Sequence, residues 1–186
     1  MEGSKKLRRV GFIGYGKVAA FLVQKVLAHG KDAGMELAFV CDLFMPDVVE
    51  KSTEIPEECK LKDLSCFEKF NADLIVEAAH PNVSKQYGAR ILDSADFMIA
   101  STTTFADPDT EKMLSHAADN NKWGHGIYLA SGALWGALDI QKMSDAGKLA
   151  SLQVLTSTSN YENKTFANIR CSKTLSIIFI FYCVFR

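Results

Sequence analysis

The chain has 186 residues, 48% hydrophobic and 23% charged, with a formal net charge of -1. That composition is ordinary for a globular protein and allows one sizeable domain with a fragment of another. Near-neutrality excludes bulk attraction to nucleic acid or an anionic membrane surface, and five cysteines without a C-x-x-C spacing argue against a disulfide framework and a structural zinc site, fitting reduced thiols in the cytosol instead.

The first element is LRRVGFI, Leu7 to Ile13, which reads as a buried strand. The basic residues around it, Lys5, Lys6, Arg8 and Arg9, give it a superficial likeness to a secretory signal, but the apolar stretch is short and Lys17 interrupts it. From Gly16 onward, Val18, Leu22 and Val26 recur at four-residue spacing, which predicts a helix packed on that face and closed by His29-Gly30. MELAFVCD is the second strand. Leu43 to Phe70, with Pro46, Pro56 and scattered charge, predicts a short helix, a loop and a further helical turn. DLIVEAA is the third strand. His80-Pro81 then opens a helix with Val83, Tyr87 and Ile91 on one face, proline being tolerated in a first turn. DFMIAS follows as a strand, and DPDTEKMLSHAADN as a helix with Asp107 as N-cap and Pro108 at its first position. GIYLAS is another strand, Ala133 to Ala146 a helix ended by Gly147, and LASLQVLTS a last strand. Strands apolar on both faces, alternating with helices, predict an α/β fold: a doubly wound parallel sheet covered on both sides.

Gly14-Tyr15-Gly16-Lys17-Val18-Ala19 matches G-x-G-x-x-A at the first strand-to-helix turn. Gly14 permits the tight turn, Gly16 lets bare backbone approach a pyrophosphate, and Ala19 allows close helix–strand packing. The helix N-terminus adds free N–H groups and partial positive charge, so a dinucleotide is the expected ligand. Asp42 ends the second strand, 23 residues beyond Ala19. There it either accepts hydrogen bonds from the adenosine ribose or serves as a loop acid or helix cap. In the ribose role it repels a 2′-phosphate and favours NAD, although Lys17 can soften that preference toward NADP.

Three further strand ends are expected to converge on the nicotinamide: Glu77-Ala78-Ala79-His80-Pro81, Ser101-Thr102-Thr103-Thr104 and Ala130-Ser131-Gly132-Ala133. Small residues leave room for a flat ring, and hydroxyl and N–H groups can orient its carboxamide. Each stretch also reads as ordinary loop and cap chemistry. His80 is either a proton shuttle at a strand end or the cap of the helix beginning at Pro81. His29, His116 and His125 read as structural. Glu77, inside an apolar strand, requires a hydrogen-bonding partner and can orient the site. The expected cofactor contacts are therefore Gly14, Tyr15, Gly16, Lys17, Val18, Asp42, Ala78, Ala79, His80, Ser101, Ser131 and Gly132.

The runs GFIGYGKVA, DLIVEAAHP and ASTTTFADP, and above all YLASGALWGALDIQKM, resemble the L-aspartate dehydrogenase family, the animal domain-containing forms most closely, over roughly residues 8 to 158. The resemblance implies an NAD(P)-dependent oxidoreductase that takes L-aspartate, or a similar amino acid, to iminoaspartate. Iminoaspartate hydrolyses to oxaloacetate and ammonia and is also a precursor in pyridine nucleotide biosynthesis. The implied fold is a Rossmann domain over 1–133 and the start of a smaller α/β substrate and dimerisation domain over 134–159, cut short before a divergent apolar tail over 160–186. Gly14, Gly16, Ala19 and Asp42 match the family's cofactor loop and acidic strand end, and Ser131-Gly132-Ala133 matches its interdomain junction. The expected location is cytoplasmic, and the resemblance further implies a homodimer for full-length members and a catalytic histidine in the second domain. Nothing after about Ser159 resembles it, which leaves a catalytically inactive dinucleotide-binding fragment as the alternative. The tail's apolar run, Leu175 to Phe185, falls short of the roughly 20 residues that span a bilayer. It reads as a replacement strand or an aggregation-prone edge. Asn82-Val83-Ser84 and Asn163-Lys164-Thr165 fit a glycosylation pattern that a cytosolic chain leaves unmodified.

Overall fold

The computed structural model describes residues 6–130, 137–148, 151–160 and 163–172. They fall into two compact units, one ending at Ala130 and one from residue 131 onward.

The first unit runs β1 (Arg8–Ile13), α1 (Lys17–His29), β2 (Met35–Cys41), α2 (Pro46–Glu50), β3 (Leu74–Glu77), α3 (Pro81–Leu92), β4 (Asp96–Ile99), α4 (Pro108–Asn120) and β5 (Ile127–Leu129). Its sheet has the order β2-β1-β3-β4-β5 with every pairing parallel. The chain leaves β1 outward to β2, then returns across to β3, so the topological switch point lies between β1 and β3. Between α2 and β3 come 3-10 turns at Glu57–Cys59 and Leu64–Phe70. Lys60 forms an isolated parallel bridge with Val40, and the Leu61 N–H donates to the Val40 carbonyl at 2.9 Å. The outer edge of β2 is thus paired by a strand reduced to one rung.

Alternation along the strands divides the core between the two sheet faces. Val10 and Phe12 pack with Ala19 and Val23 of α1 and Val49 of α2. Ile13, Ile75 and Phe97 pack with Ile91 and Leu92 of α3 and Leu114 of α4. This is the doubly wound architecture expected from the alternating pattern.

Two expectations about packing are corrected. The buried residues of α1 are Ala19 and Val23, whereas Val18 is 63% exposed and Leu22 also faces out. Ala19 must touch the sheet for the helix to lie close, and successive residues are about 100° apart around a helix, so Val18 turns away. The strand expected from GIYLAS is only three residues long, and Tyr128 and Leu129 are about half exposed rather than buried, because β5 is the last strand of this sheet.

The basic residues at the start of β1 have local partners: Lys6, just before the strand, pairs with Asp73, and within it Arg8 pairs with Asp96 and Arg9 with Glu36. These pairs gather at the N-terminal end of the sheet, away from the strand ends where a ligand is expected. Asp107 caps α4, accepting from the Asp109 N–H at 3.3 Å and the Thr110 hydroxyl at 2.8 Å.

In the second unit, α5 (Ala137–Asp145) is followed by Gly147 at φ +66°. β6 (Ser151–Asn160) and β7 (Asn163–Ser172) form an antiparallel pair in register from Ser151↔Ser172 to Asn160↔Asn163. The pairing joins residues on both sides of the expected boundary at residue 160. The apolar run Leu175 to Phe185 lies outside the described residues. Among the described residues, no helix is long and apolar enough to cross a membrane.

Candidate functional site

Gly11, Gly14 and Gly16 lie within six positions around the end of β1 and answer to three different causes. Gly11 is a packing residue: a Cβ there would lie 2.2 Å from the Phe39 ring. Gly14 is both conformational and steric. Its φ is +97°, and an added Cβ would lie 2.6 Å from the Ala78 carbonyl oxygen. Gly16 has neither cause. It sits at φ −72°, ψ −176°, which any residue adopts, and a Cβ there would meet nothing within 4 Å. Gly16 precedes α1, whose N-terminus has no side-chain cap and no acidic residue in its first turn. Lys17 and Val18 of that turn are exposed. The first N–H groups of α1 therefore face open space beside a glycine that the fold itself does not require. A phosphate-bearing ligand suits this cradle.

Two buried carboxylates shape the loops around it. Asp42 is 7% exposed. Its Oδ2 accepts from the Tyr15 N–H at 2.7 Å, and its Oδ1 accepts from the Phe44 and Met45 N–H groups, both at 2.8 Å. Asp42 thus ties the glycine loop to the turn after β2, and Oδ2, with one of these donors, retains capacity for another. Glu77, the last residue of β3, has no exposed surface. Its Oε1 accepts from the N–H groups of Ala79 (2.7 Å) and His80 (2.8 Å) and from the Ser101 hydroxyl (2.8 Å), while Oε2 accepts from the Ser101 N–H at 3.3 Å. One side chain therefore fixes the loops after β3 and β4 together. Ser101 is further held by Thr104, whose hydroxyl donates to its carbonyl at 2.7 Å.

The C-terminal ends of the parallel strands are joined in one continuous ladder. Gly14 N–H donates to Cys41 C=O (2.7 Å), Ala78 N–H to Ile13 C=O (2.8 Å), Ala100 N–H to Glu77 C=O (2.8 Å) and Ala130 N–H to Ile99 C=O (3.0 Å). Ala78, Ala79, His80 and Ser101 share this C-terminal edge of the sheet. Ser131 and Gly132 lie outside the described residues. For His80 the structure realises the capping alternative: Nδ1 accepts from the Asn82 N–H at 3.2 Å at the start of α3. Phe44, which the sequence reading passed over, faces the His80 ring with centroids 6.0 Å apart, bridging the loops after β2 and β3. Its only sequence signal was an apolar side chain directly after the strand-end acid. A surface depression of about 530 Å³, lined by residues including Tyr15, Val48, Lys51 and Glu54, opens on the α2 side of the glycine loop, away from Ser101.

Burial pushes the Cys41 thiol up to about 11, aided by Asp42 and Asp63, so it stays protonated at neutral pH. Among the described residues no group of histidine, cysteine and acidic side chains could hold a metal ion.

Burial also raises the Glu77 carboxyl above its ordinary value, against the lowering effect of its four hydrogen bonds. The folded state therefore bears a cost for ionised Glu77 that grows as pH rises through the raised value and is absent below the ordinary one. Glu77→Gln lacks that cost. Relative to the wild type's, its melting temperature is expected to stand a few degrees higher at about pH 7.5 than near pH 4, on top of a constant offset from the amide that meets the Ser101 N–H. Thermal melts across pH check this, and a difference independent of pH would refute it.

The family match ends where the first unit does. A family model, the NAD-binding domain of homoserine dehydrogenase, matches residues 14–130. The aspartate dehydrogenase domain-containing protein of Danio rerio is 38% identical over 149 residues, covering 80% of this chain and 52% of that protein. Its counterpart in Xenopus tropicalis is 40% identical over 146 residues, covering 78% and 50%. The crystal structure of aspartate dehydrogenase from Thermotoga maritima superposes with a TM-score of 0.53 at 23% identity, covering 74% of this chain and 52% of that one, which shows a shared fold. The chain spans about half the length of the curated relatives it matches. It belongs to the family of the homoserine dehydrogenase NAD-binding domain, and it is a relative of the aspartate dehydrogenases.

Proposed function

We propose that this chain binds a nicotinamide dinucleotide, NAD in preference to NADP, for oxidation of the amine-bearing carbon of L-aspartate or a similar amino acid. The observation that carries the reading is Gly16: a side-chain-free position, in ordinary backbone geometry, opening on an uncapped helix N-terminus. The backbone N–H groups at the start of α1 bind the diphosphate, with Lys17 beside them. Asp42 accepts from the adenosine ribose and disfavours a 2′-phosphate at the same place. Glu77 holds the Ala79–His80 loop and Ser101 as the walls of the nicotinamide end. A bound nicotinamide supplies the acceptor for the substrate's Cα hydride. L-aspartate loses that hydride and an amine proton to become iminoaspartate, and water then releases oxaloacetate and ammonia. Iminoaspartate is the product through which the reaction connects to pyridine nucleotide biosynthesis.

A second reading, binding without turnover, is favoured by one observation: the imidazole nearest the strand ends spends Nδ1 on capping α3. Fluorescence titration with NAD and NADP, followed by an assay for aspartate-dependent formation of reduced cofactor, separates the two. The proposed function expects binding, tighter for NAD, and a rate that rises with aspartate. Binding with no such rate leaves the second reading. Absence of binding overturns both.

A further inference from the structure

Among the described residues, every group that hydrogen-bonds Glu77 is a donor: the N–H groups of Ala79, His80 and Ser101 and the Ser101 hydroxyl. These bonds favour the ionised form but do not neutralise it. Among the described residues no lysine, arginine or histidine forms an ion pair with it. Lys85, on the first turns of α3, pairs instead with Asp107 at 3.0 Å. A fully buried carboxylate without a counter-ion is costly, and such residues normally carry a partner. Among the described residues Glu77 has none, and it sits at the C-terminal edge of the sheet beside the switch point, where a ligand is placed by the fold.

We propose that Glu77 is the residue by which this site distinguishes oxidised from reduced dinucleotide, its buried charge favouring the cationic nicotinamide ring over the neutral one. This rests on the reading above, in which the nicotinamide half lies over the ends of β3 and β4. The two redox states of the ligand share their phosphates, riboses and adenine. They differ in the charge of one ring, so a nearby fixed charge acts on that difference alone. A buried charge is little screened by salt. Unit charges about 10 Å apart at an effective dielectric of about 20 change an equilibrium constant roughly tenfold. The site so built retains the oxidised cofactor for an incoming reduced substrate and lets the reduced cofactor go.

Glu77→Gln is a close test. Its amide oxygen can keep the three bonds that Oε1 accepts, and only the longest bond, from the Ser101 N–H at 3.3 Å, meets an amide donor instead. Calorimetric titration of the full chain with oxidised NAD, reduced NAD and ADP-ribose gives three affinities per variant. In E77Q the affinity for oxidised NAD is expected to fall about tenfold, with those for reduced NAD and ADP-ribose within about twofold of wild type. In Glu77→Asp, which keeps the charge, the ratio of oxidised to reduced affinity stays within about twofold of wild type even where both affinities fall. Equal losses for both redox states in E77Q would overturn the proposal and leave Glu77 as a brace for the loops. Should E77Q not fold, E77D decides: an unchanged ratio supports the proposal, and a tenfold displacement overturns it. Failure of the wild type to bind ADP-ribose would instead overturn the dinucleotide reading itself, and this inference with it.

Discussion

Gly16→Val is expected to abolish NAD binding, by a hundredfold or more, while changing the free energy of unfolding by less than about 1 kcal/mol. The stability half of the expectation follows from the backbone. At φ −72° and ψ −176° a valine is unstrained, and its Cβ enters space with no heavy atom within 4 Å. The remaining cost is the weaker capping preference of valine relative to glycine, a fraction of a kcal/mol or somewhat more. The binding half follows from what that space is for. Two branched methyl groups beside the first N–H groups of α1 hold a diphosphate off the backbone. Charge-assisted hydrogen bonds of this kind are worth about 1.5–3 kcal/mol each, so losing two accounts for the hundredfold figure. Urea unfolding and NAD titration on the same preparation check both halves. Wild-type affinity in the folded variant would show that the open space beside Gly16 is not the phosphate site, and the proposed function would lose its main support.

How far the sequence disclosed this arrangement depends on whether a residue's role is local or relational. The glycine loop was legible because strand, turn and helix follow one another within a dozen residues, and each glycine's context could be read from its neighbours. Gly11, inside β1, has no such local context. Only the position of Phe39, on the adjacent strand, shows that Gly11 is there for packing. The packed face of α1 differs in part from the expected one for a related reason. Val26 packs against the core as expected, but the sheet's demand for close approach selects the smaller Ala19 over Val18, so Val18 and Leu22 face out. Asp42 was placed correctly at a strand end, with ribose binding and capping as alternatives. The structure shows its oxygens bonded to N–H groups on two loops, a relation between Tyr15 and the Phe44 turn that no single window contains. Glu77 was marked as needing a partner, and its partners come from both β3 and β4 loops. The stretch from Leu43 to Phe70 was read coarsely because its one strand-like contact is a single bridge at Lys60, too short to leave a periodic pattern.

Gly14→Val is expected to be far more disruptive to the fold than Gly16→Val, lowering the free energy of unfolding by about 3 kcal/mol or more. Part of the loss is conformational: φ of +97° lies where a residue with a Cβ is strained, and a β-branched one most of all. The larger part is steric. The Cβ would sit 2.6 Å from the Ala78 carbonyl oxygen and 2.8 Å from its carbon, both backbone atoms. A flexible side chain could swing aside, but this peptide group cannot. The Ala78 N–H is committed to the Ile13 carbonyl at 2.8 Å, and the Ala79 N–H, on the far side of the same peptide, to Oε1 of Glu77 at 2.7 Å. Relief therefore requires β1 and β3 to part at their C-terminal ends, or the Glu77 clamp to open, and either movement dismantles the strand-end ladder that the site is built on. Urea denaturation of the two variants side by side is the measurement. Loss of stability and ligand together at position 14, with loss of ligand alone at position 16, is the outcome this geometry demands. A Gly14→Val protein as stable as the wild type would mean that the peptide between Ala78 and Ala79 is free to turn, and that Glu77 does not hold it.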